Sequence, residues 1–277
     1  MALKTGLGYN KKDSPIHRLT GASKLLATVL VSVSAMVTYD TRFLAAVIMF
    51  SCAVFAVSRT PLKDLRLILT LIGVFMLINN FFIFLFSPEE GVKIYGTRRE
   101  IAHLAGGYYV TCEQLFYQMN VTVKYFSIMP LALIFFVTTE PSEFASSLNK
   151  IGVGYKAAYS VSLSLRYIPA VMREYREISQ AQQARGARIS KEAKLSARFK
   201  GAVSILFPLV LTSVDKIETI ANAMELRGFG KKKRRTWYKA RDFALADYLF
   251  VAAGLVSVAV SAALFFVNGG RFYNPFI

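Results

Sequence analysis

Apolar residues in this chain gather into five long runs, separated by short polar breaks and by one long polar stretch. The first run covers about residues 22–39, a little short for a membrane crossing, and Tyr39-Asp-Thr-Arg42 interrupts it. The second, about 43–58, ends at Arg59-Thr-Pro-Leu-Lys63, where Pro61 suits a new helix start. The third covers about 65–86. The fourth covers about 112–139, densest from Val121 to Val137, with a bend expected at Pro130. The fifth covers about 246–267. Such runs approach the roughly 20 residues that cross a bilayer as a helix. The alternating ~10-residue segments of a transmembrane barrel are absent. The pattern predicts an all-α polytopic membrane protein. Residues 1–139 hold an N-terminal segment and spans one to four, 140–245 form a helical unit outside the membrane, and 246–277 hold the last span and a tail.

Charge gives this layout an orientation. Of 277 residues, 54% are apolar, yet the formal net charge is +17, so the cations must be placed. The N-terminal segment carries Lys4, Lys11, Lys12, Arg18 and Lys24 against one acid, and the 59–66 turn carries three Lys/Arg against one. The 87–113 loop has three Lys/Arg and four acids, whereas 140–242 has 20 Lys/Arg and nine. By the positive-inside rule the N-terminus and the 140–242 segment are expected in the cytoplasm, with the 87–113 loop and the C-terminal tail outside. A cleavable signal is not expected, because a second span follows the first at once and no small-residue cleavage pattern stands out.

The long polar segment has its own periodicity. Val171, Tyr175, Ile178, Ala181/Gln182 and Arg185 follow steps of three and four, as do Val210, Val214, Ile217, Ala221 and Met224. Two amphipathic helices are predicted, Pro169 to Arg185 and Pro208 to Arg227, roughly 25 and 30 Å long. Each closes on the same phrase. Ile178-Ser-Gln-Ala-Gln-Gln-Ala-Arg185-Gly186 and Ile220-Ala-Asn-Ala-Met-Glu-Leu-Arg227-Gly228 share Ile, an amide, Ala, Ala/Leu, Arg and Gly. Gly186 and Gly228 suit the left-handed position past a helix end, and the arginines suit the negative end of the dipole. A single Arg-Gly is an ordinary helix stop. Two copies with matched Ile, amide and Ala positions exceed what stopping a helix demands, and point to one feature offered to two equivalent receivers.

With these motifs the chain resembles the transmembrane T components of energy-coupling factor (ECF) transporters, the family of the cobalt-transporter membrane subunit. The resemblance runs along most of the chain. The family's paired Ala-Arg-Gly-like tripeptides are matched by Ala184-Arg185-Gly186 and Leu226-Arg227-Gly228. Leu165-Arg-Tyr-Ile-Pro169, Ala223-Met-Glu-Leu-Arg-Gly-Phe-Gly230, Arg235-Thr236 and Asp247 are also family-like. The chain departs at Thr20-Gly21-Ala22, where the family often has Asp-Pro-Arg, and at Leu226, where it has Ala. The resemblance implies a non-catalytic subunit of a prokaryotic cell-membrane importer of vitamins or transition-metal ions. Its implied partners are two ABC-type ATPases, which would bind ATP and Mg, a membrane substrate-capture S component, and the lipid bilayer. Arg185 and Arg227 would each dock one ATPase, an arginine offering a fixed charge and five donors to an acidic groove. Ala157, Ala158, Val161, Leu163 and Leu165 form an apolar stretch that either faces the capture protein or packs on the chain's own spans.

Other residues narrow the choice. Lys231 to Arg235, Lys239 and Arg241 form a basic run; anchoring on anionic headgroups, with Trp237 and Tyr238 at the interface, is expected over nucleic-acid binding. Lys124 in span four is expected to snorkel. Asn79 and Asn80 bond either neighbouring helices or a partner. Small residues such as Ala252-Ala-Gly254 and Ser261-Ala-Ala263 permit close helix packing. His17 and His103 stand far apart, Cys52 and Cys112 form no motif, and no metal or cofactor is expected in this chain. No GxxxxGK[ST], HExxH or GxSxG motif occurs, so ATP binding through such a loop and two hydrolytic chemistries find no support. The competing class is a self-sufficient secondary transporter or channel, which predicts repeated membrane halves and polar residues at mid-depth. A lipid-modifying membrane enzyme would need an acid/base or metal cluster at the membrane face.

Overall fold

The computed structural model describes residues 14–58, 60, 62–103, 109–186, 195–232, 236–237 and 241–276. Lys4, Lys11, Lys12, Arg59, Pro61, Lys233, Arg234, Arg235, Tyr238 and Lys239, to which the sequence draws attention, lie outside the described residues. In chain order the elements are α1 (Pro15–Arg18), α2 (Gly21–Val37), α3 (Thr41–Ser58), α4 (Leu62–Phe86), α5 (Glu90–Tyr95), β1 (Glu100–His103), β2 (Tyr109–Thr111), α6 (Cys112–Thr138), α7 (Pro141–Lys150), α8 (Tyr155–Ala184), α9 (Leu195–Leu226) and α10 (Leu245–Val267). Among the described residues the fold is all-helical apart from one short antiparallel hairpin, β1–β2, which the apolar pattern does not reveal. Two compact units form: Met1–Glu143 with Arg241–Ile277, and Phe144–Ala240.

The first unit is a bundle of membrane-length helices. α3, α4 from Leu65, α6 and α10 are long and apolar enough to cross a bilayer. The 17 residues of α2 make a shorter apolar helix, about 25 Å against a hydrocarbon core of about 30 Å. Its start is set by Thr20, whose hydroxyl accepts from the Ser23 amide. α2 packs along α10, and α3 and α2 pack on α6. Val31, Ala35, Phe43, Leu44, Val47, Leu131 and Ile134 form the centre.

Lipid offers apolar side chains no less than a neighbouring helix does, so small residues and internal hydrogen bonds decide which faces meet. The α2–α10 contact shows this. A Cβ on Gly254 would lie 3.2 Å from Ala27 Cα, and Ser261 Oγ donates to the Ser34 carbonyl at 3.1 Å. α4 leans on α6 through polar groups. Asn80 Nδ2 donates to Thr122 Oγ1 at 3.0 Å, and Gln118 Nε2 donates to the Asn80 carbonyl at 3.2 Å. Asn80 therefore bonds a neighbouring helix, whereas Asn79 Oδ1 is buried and accepts no bond from a described residue. Leu67, Leu71, Phe75, Ile78, Phe82 and Phe86 of α4 are exposed, as expected of a helix turned to hydrocarbon.

Lys124 corrects its expectation. It does not snorkel to solvent: the side chain is buried, its Nζ donates to the Met36 carbonyl at 2.6 Å, and it sits 3.5 Å from the centre of the Tyr39 ring. The last carbonyls of α2 lack partners within the helix, and the ammonium supplies one. The aromatic face supports the same charge. Tyr39 is held in turn by the C-terminal tail, its amide donating to the Arg271 carbonyl at 2.7 Å and its ring stacking on Phe272.

The second unit corrects the predicted helix starts. α8 begins at Tyr155 and α9 at Leu195, so Pro169 and Pro208 lie inside these helices rather than at their beginnings. Each proline removes one backbone donor, and the helix continues past it on both sides.

Candidate docking site on the paired helices

Two contacts fix the course of α8 and α9. Lys216 Nζ donates to Glu174 Oε2 at 2.7 Å, and the Phe229 ring, just past α9, packs on Tyr159 near the start of α8 at 4.8 Å. Residues late in one helix therefore meet residues early in the other, and the pair is antiparallel. Glu174 is held below the usual carboxylate range by the Lys216 hydrogen bond.

The ion pair stands at matched positions, four residues ahead of each copy of the repeated phrase. Glu174 and Lys216 are 42 residues apart, the same offset as Arg185 and Arg227. Each arginine lies 11 residues beyond its member of the ion pair, about 16 Å of helix. Because the helices run in opposite directions, the two Arg-Gly turns sit at opposite ends of the pair, each 11 residues from its member of the ion pair.

Both ends close in the same way. The Arg185 amide donates to the Ala181 carbonyl at 3.2 Å, and the Arg227 amide to Ala223 at 3.2 Å. Gly186 donates to Gln183 and Gly228 to Glu225. Gly186 has φ +88° and Gly228 φ +67°, where a Cβ would be strained. Ala184, Arg185, Gly186, Leu226 and Arg227 are exposed, Leu226 to 89%. Leu226 is thus an apolar residue held out beside its arginine.

Beyond the turn the two ends differ in sequence, and the α9 end continues into further contacts. The Phe229 amide donates to the Met224 carbonyl at 2.9 Å, completing the longer six-residue ring of a Schellman closure. The Phe229 ring joins Tyr155, Tyr159 and Trp237, and the Trp237 indole donates to Asn149 Oδ1 at 3.1 Å. Trp237 therefore packs within this cluster. The residue at the Phe229 position of the first copy is Ala187, which lies outside the described residues.

Of the apolar stretch predicted to face a partner or the chain's own spans, Ala158 is fully buried, Ala157 is exposed, and Val161, Leu163 and Leu165 are half-buried. Leu163 lines an open groove of about 470 Å³ with Ile217, Ile220, Ala221, Met224 and Phe229. A second apolar surface lies along α9, where Phe199, Val203, Phe207, Val210, Val214 and Ile217 are all exposed at helical spacing. The periodicity marks the Val210, Val214 and Ile217 part of this stripe in the sequence, but not that the fold leaves it uncovered. Among the described residues no group of three or more His, Cys, Asp or Glu comes together.

These features define an all-helical multi-pass membrane protein with a paired-helix unit before its last span. Residues 12–238 match the cobalt transport protein family CbiQ, and the chain belongs to that family. It is 29% identical to the energy-coupling factor transporter transmembrane protein EcfT of Bacillus selenitireducens, over 94% of this chain and 97% of that protein. It is 28% identical to the protein of the same name from Thermanaerovibrio acidaminovorans, over 95% and 96%. A putative ABC transporter ATP-binding protein of Bifidobacterium longum is 26% identical across 91% of this chain, which spans 32% of that relative.

Proposed function

We propose that the chain is the transmembrane coupling subunit of an ECF-type ABC importer. It transmits the ATP-driven motion of two cytoplasmic ATPases to a membrane substrate-capture protein, for uptake of a vitamin or a transition-metal ion. The observation that carries this reading is the pair of exposed Arg-Gly turns placed equally far from Glu174–Lys216. Two ATPase subunits related by a twofold axis present two like grooves, and a single chain answers both by offering one turn at each end of an antiparallel helix pair. The names of the EcfT relatives support the role. The Bifidobacterium relative, named for ATP binding and containing a segment like this chain, supports an ATPase partner. ATP and Mg belong to those partners in this reading.

In this assignment Phe144–Ala240 and the N-terminus lie in the cytoplasm of a prokaryotic cell and the C-terminal tail lies outside. The exposed α9 stripe, with Ala157 and Leu163, is the surface offered to the capture protein. The test is the double substitution R185E/R227E. Loss of one partner from a buried charged contact costs about 2–5 kcal/mol, so the variant should lose its ATPases on purification in detergent while remaining in the membrane. Stoichiometric ATPase with the double variant, or uptake by the lone chain in liposomes, overturns the assignment.

A further inference from the structure

The chain leaves the membrane bundle after Glu143 and returns to it at Arg241. Both crossings are fastened to one short segment, Thr20–Lys24. On the outgoing side, Lys24 Nζ donates to the Thr138 carbonyl at 2.9 Å, in the last turn of α6. The Gly21 amide donates to Glu143 Oε1 at 2.8 Å. On the returning side, the Thr20 amide and hydroxyl donate to Asp247 Oδ1 at 2.7 and 3.0 Å, and Ser23 Oγ donates to the same oxygen. Asp247 Oδ2 accepts from the Ala244 amide at 2.9 Å, closing the start of α10. Thr20, Ser23, Lys24 and Asp247 are all buried.

We propose that the first turn of α2 is the anchor through which motion of Phe144–Ala240 reaches the membrane helices, with Asp247 and Lys24 as its positioning residues. This rests on the coupling role proposed above. The physical case is that two carboxylates meet the positive end of the α2 dipole, and that charge-assisted bonds away from water are short and costly to break. Neither connection can shift without pulling on α2, and α2 in turn packs along α10 and α6. A pull on the second unit is thus delivered to the bundle as one load on one helix, not as two independent loads on two loops. The anchor depends on this chain's own residues. Gly21 supplies the amide hydrogen that Glu143 accepts, and a proline in its place would have none to give.

The test uses the full chain purified with its ATPases in nanodiscs, and reads amide hydrogen exchange with and without ATP and vanadate. In the unsubstituted complex, nucleotide should change exchange in 144–240 and also in α2 and α10. D247N removes the carboxylate charge that accepts three bonds from Thr20 and Ser23, at nearly constant shape, and K24M removes the ammonium while leaving Asp247 and its bonds. Both should retain ATPases and the change in 144–240, while the change in α2 and α10 falls at least tenfold. If nucleotide signals reach α2 and α10 undiminished in K24M and D247N, the anchor is refuted. If the unsubstituted chain retains no ATPase, or 144–240 shows no response, the coupling role itself fails. Should D247N not accumulate, K24M alone decides the matter.

Discussion

Truncation of Phe229 should loosen one docking turn and spare the other. The ring is half-buried against Tyr159 and Tyr155, at 4.8 and 5.8 Å, and its amide closes the α9 terminus on Met224. Full burial of a phenylalanine is worth about 1.5–3 kcal/mol, so half-burial supplies about 1 kcal/mol. The two tilted ring contacts add roughly another 1 kcal/mol together. F229A should therefore weaken the closed turn by about 2 kcal/mol, a factor of about 30 in its local equilibrium. Amide exchange of the full chain in nanodiscs reads this directly. The amides of Gly228 and residue 229 should exchange about thirtyfold faster, while those of Arg185 and Gly186, some 30 Å away along the helix pair, keep their rates. Unchanged exchange at Gly228, or equal acceleration at both ends, would refute the claim that the aromatic cluster holds the second turn specifically.

Two further outcomes test the packing. Glu174 is held below its ordinary value of 4.5 by Lys216, so their pairing contributes fully above about pH 4.5 and fades as pH falls through the lower folded value. With Lys216 half-exposed, the effect is under about 1 kcal/mol. E174Q should be slightly less stable near neutrality and lose less than the unsubstituted chain on acidification, as measured by thermal unfolding in detergent; parallel pH profiles would contradict this. G254L should disrupt the α2–α10 contact, since even a Cβ there comes within 3.2 Å of Ala27 Cα and Leu30. Overpacking of this kind costs about 1–3 kcal/mol or more, and an unchanged melting temperature would show that the helices do not meet so closely.

What the sequence disclosed follows the range of the forces involved. The long apolar runs mark the spans to within about three residues, because lipid demands continuous apolar helix whatever its neighbours are. The Arg-Gly turns were legible for a similar reason: a left-handed residue after a helix is a local requirement. The prolines misled. Pro169 and Pro208 read as helix starts by local rule, yet both are interior, because the long antiparallel pairing of α8 and α9 overrides one missing donor. Long-range polar contacts were less visible still. Asp247 shows in the sequence only as a family-like residue, and its partner Thr20 is 227 residues away. The expectation for Lys124 failed because nothing nearby in sequence announces the Met36 carbonyl or the Tyr39 ring. Phe229 and Trp237 gather only when the chain returns past the start of α8, so their cluster has no periodic signature. The Val210, Val214 and Ile217 part of the exposed α9 stripe was legible as a stripe, but whether a face is covered is a property of the fold.

The position of the Glu174–Lys216 contact has a mechanical consequence. With 11 residues from each partner to its arginine, the helix pair is a scissor with equal arms. A change of 10° in the direction of either arm about that rivet would carry its tip roughly 3 Å, given an arm of about 16 Å. Equal arms give a symmetric squeeze equal leverage at the two tips, and at the α9 tip the Phe229–Tyr159 contact works against it. An inserted or deleted helical turn on one side of it would make the arms unequal, and a symmetric drive would then push the whole pair to one side.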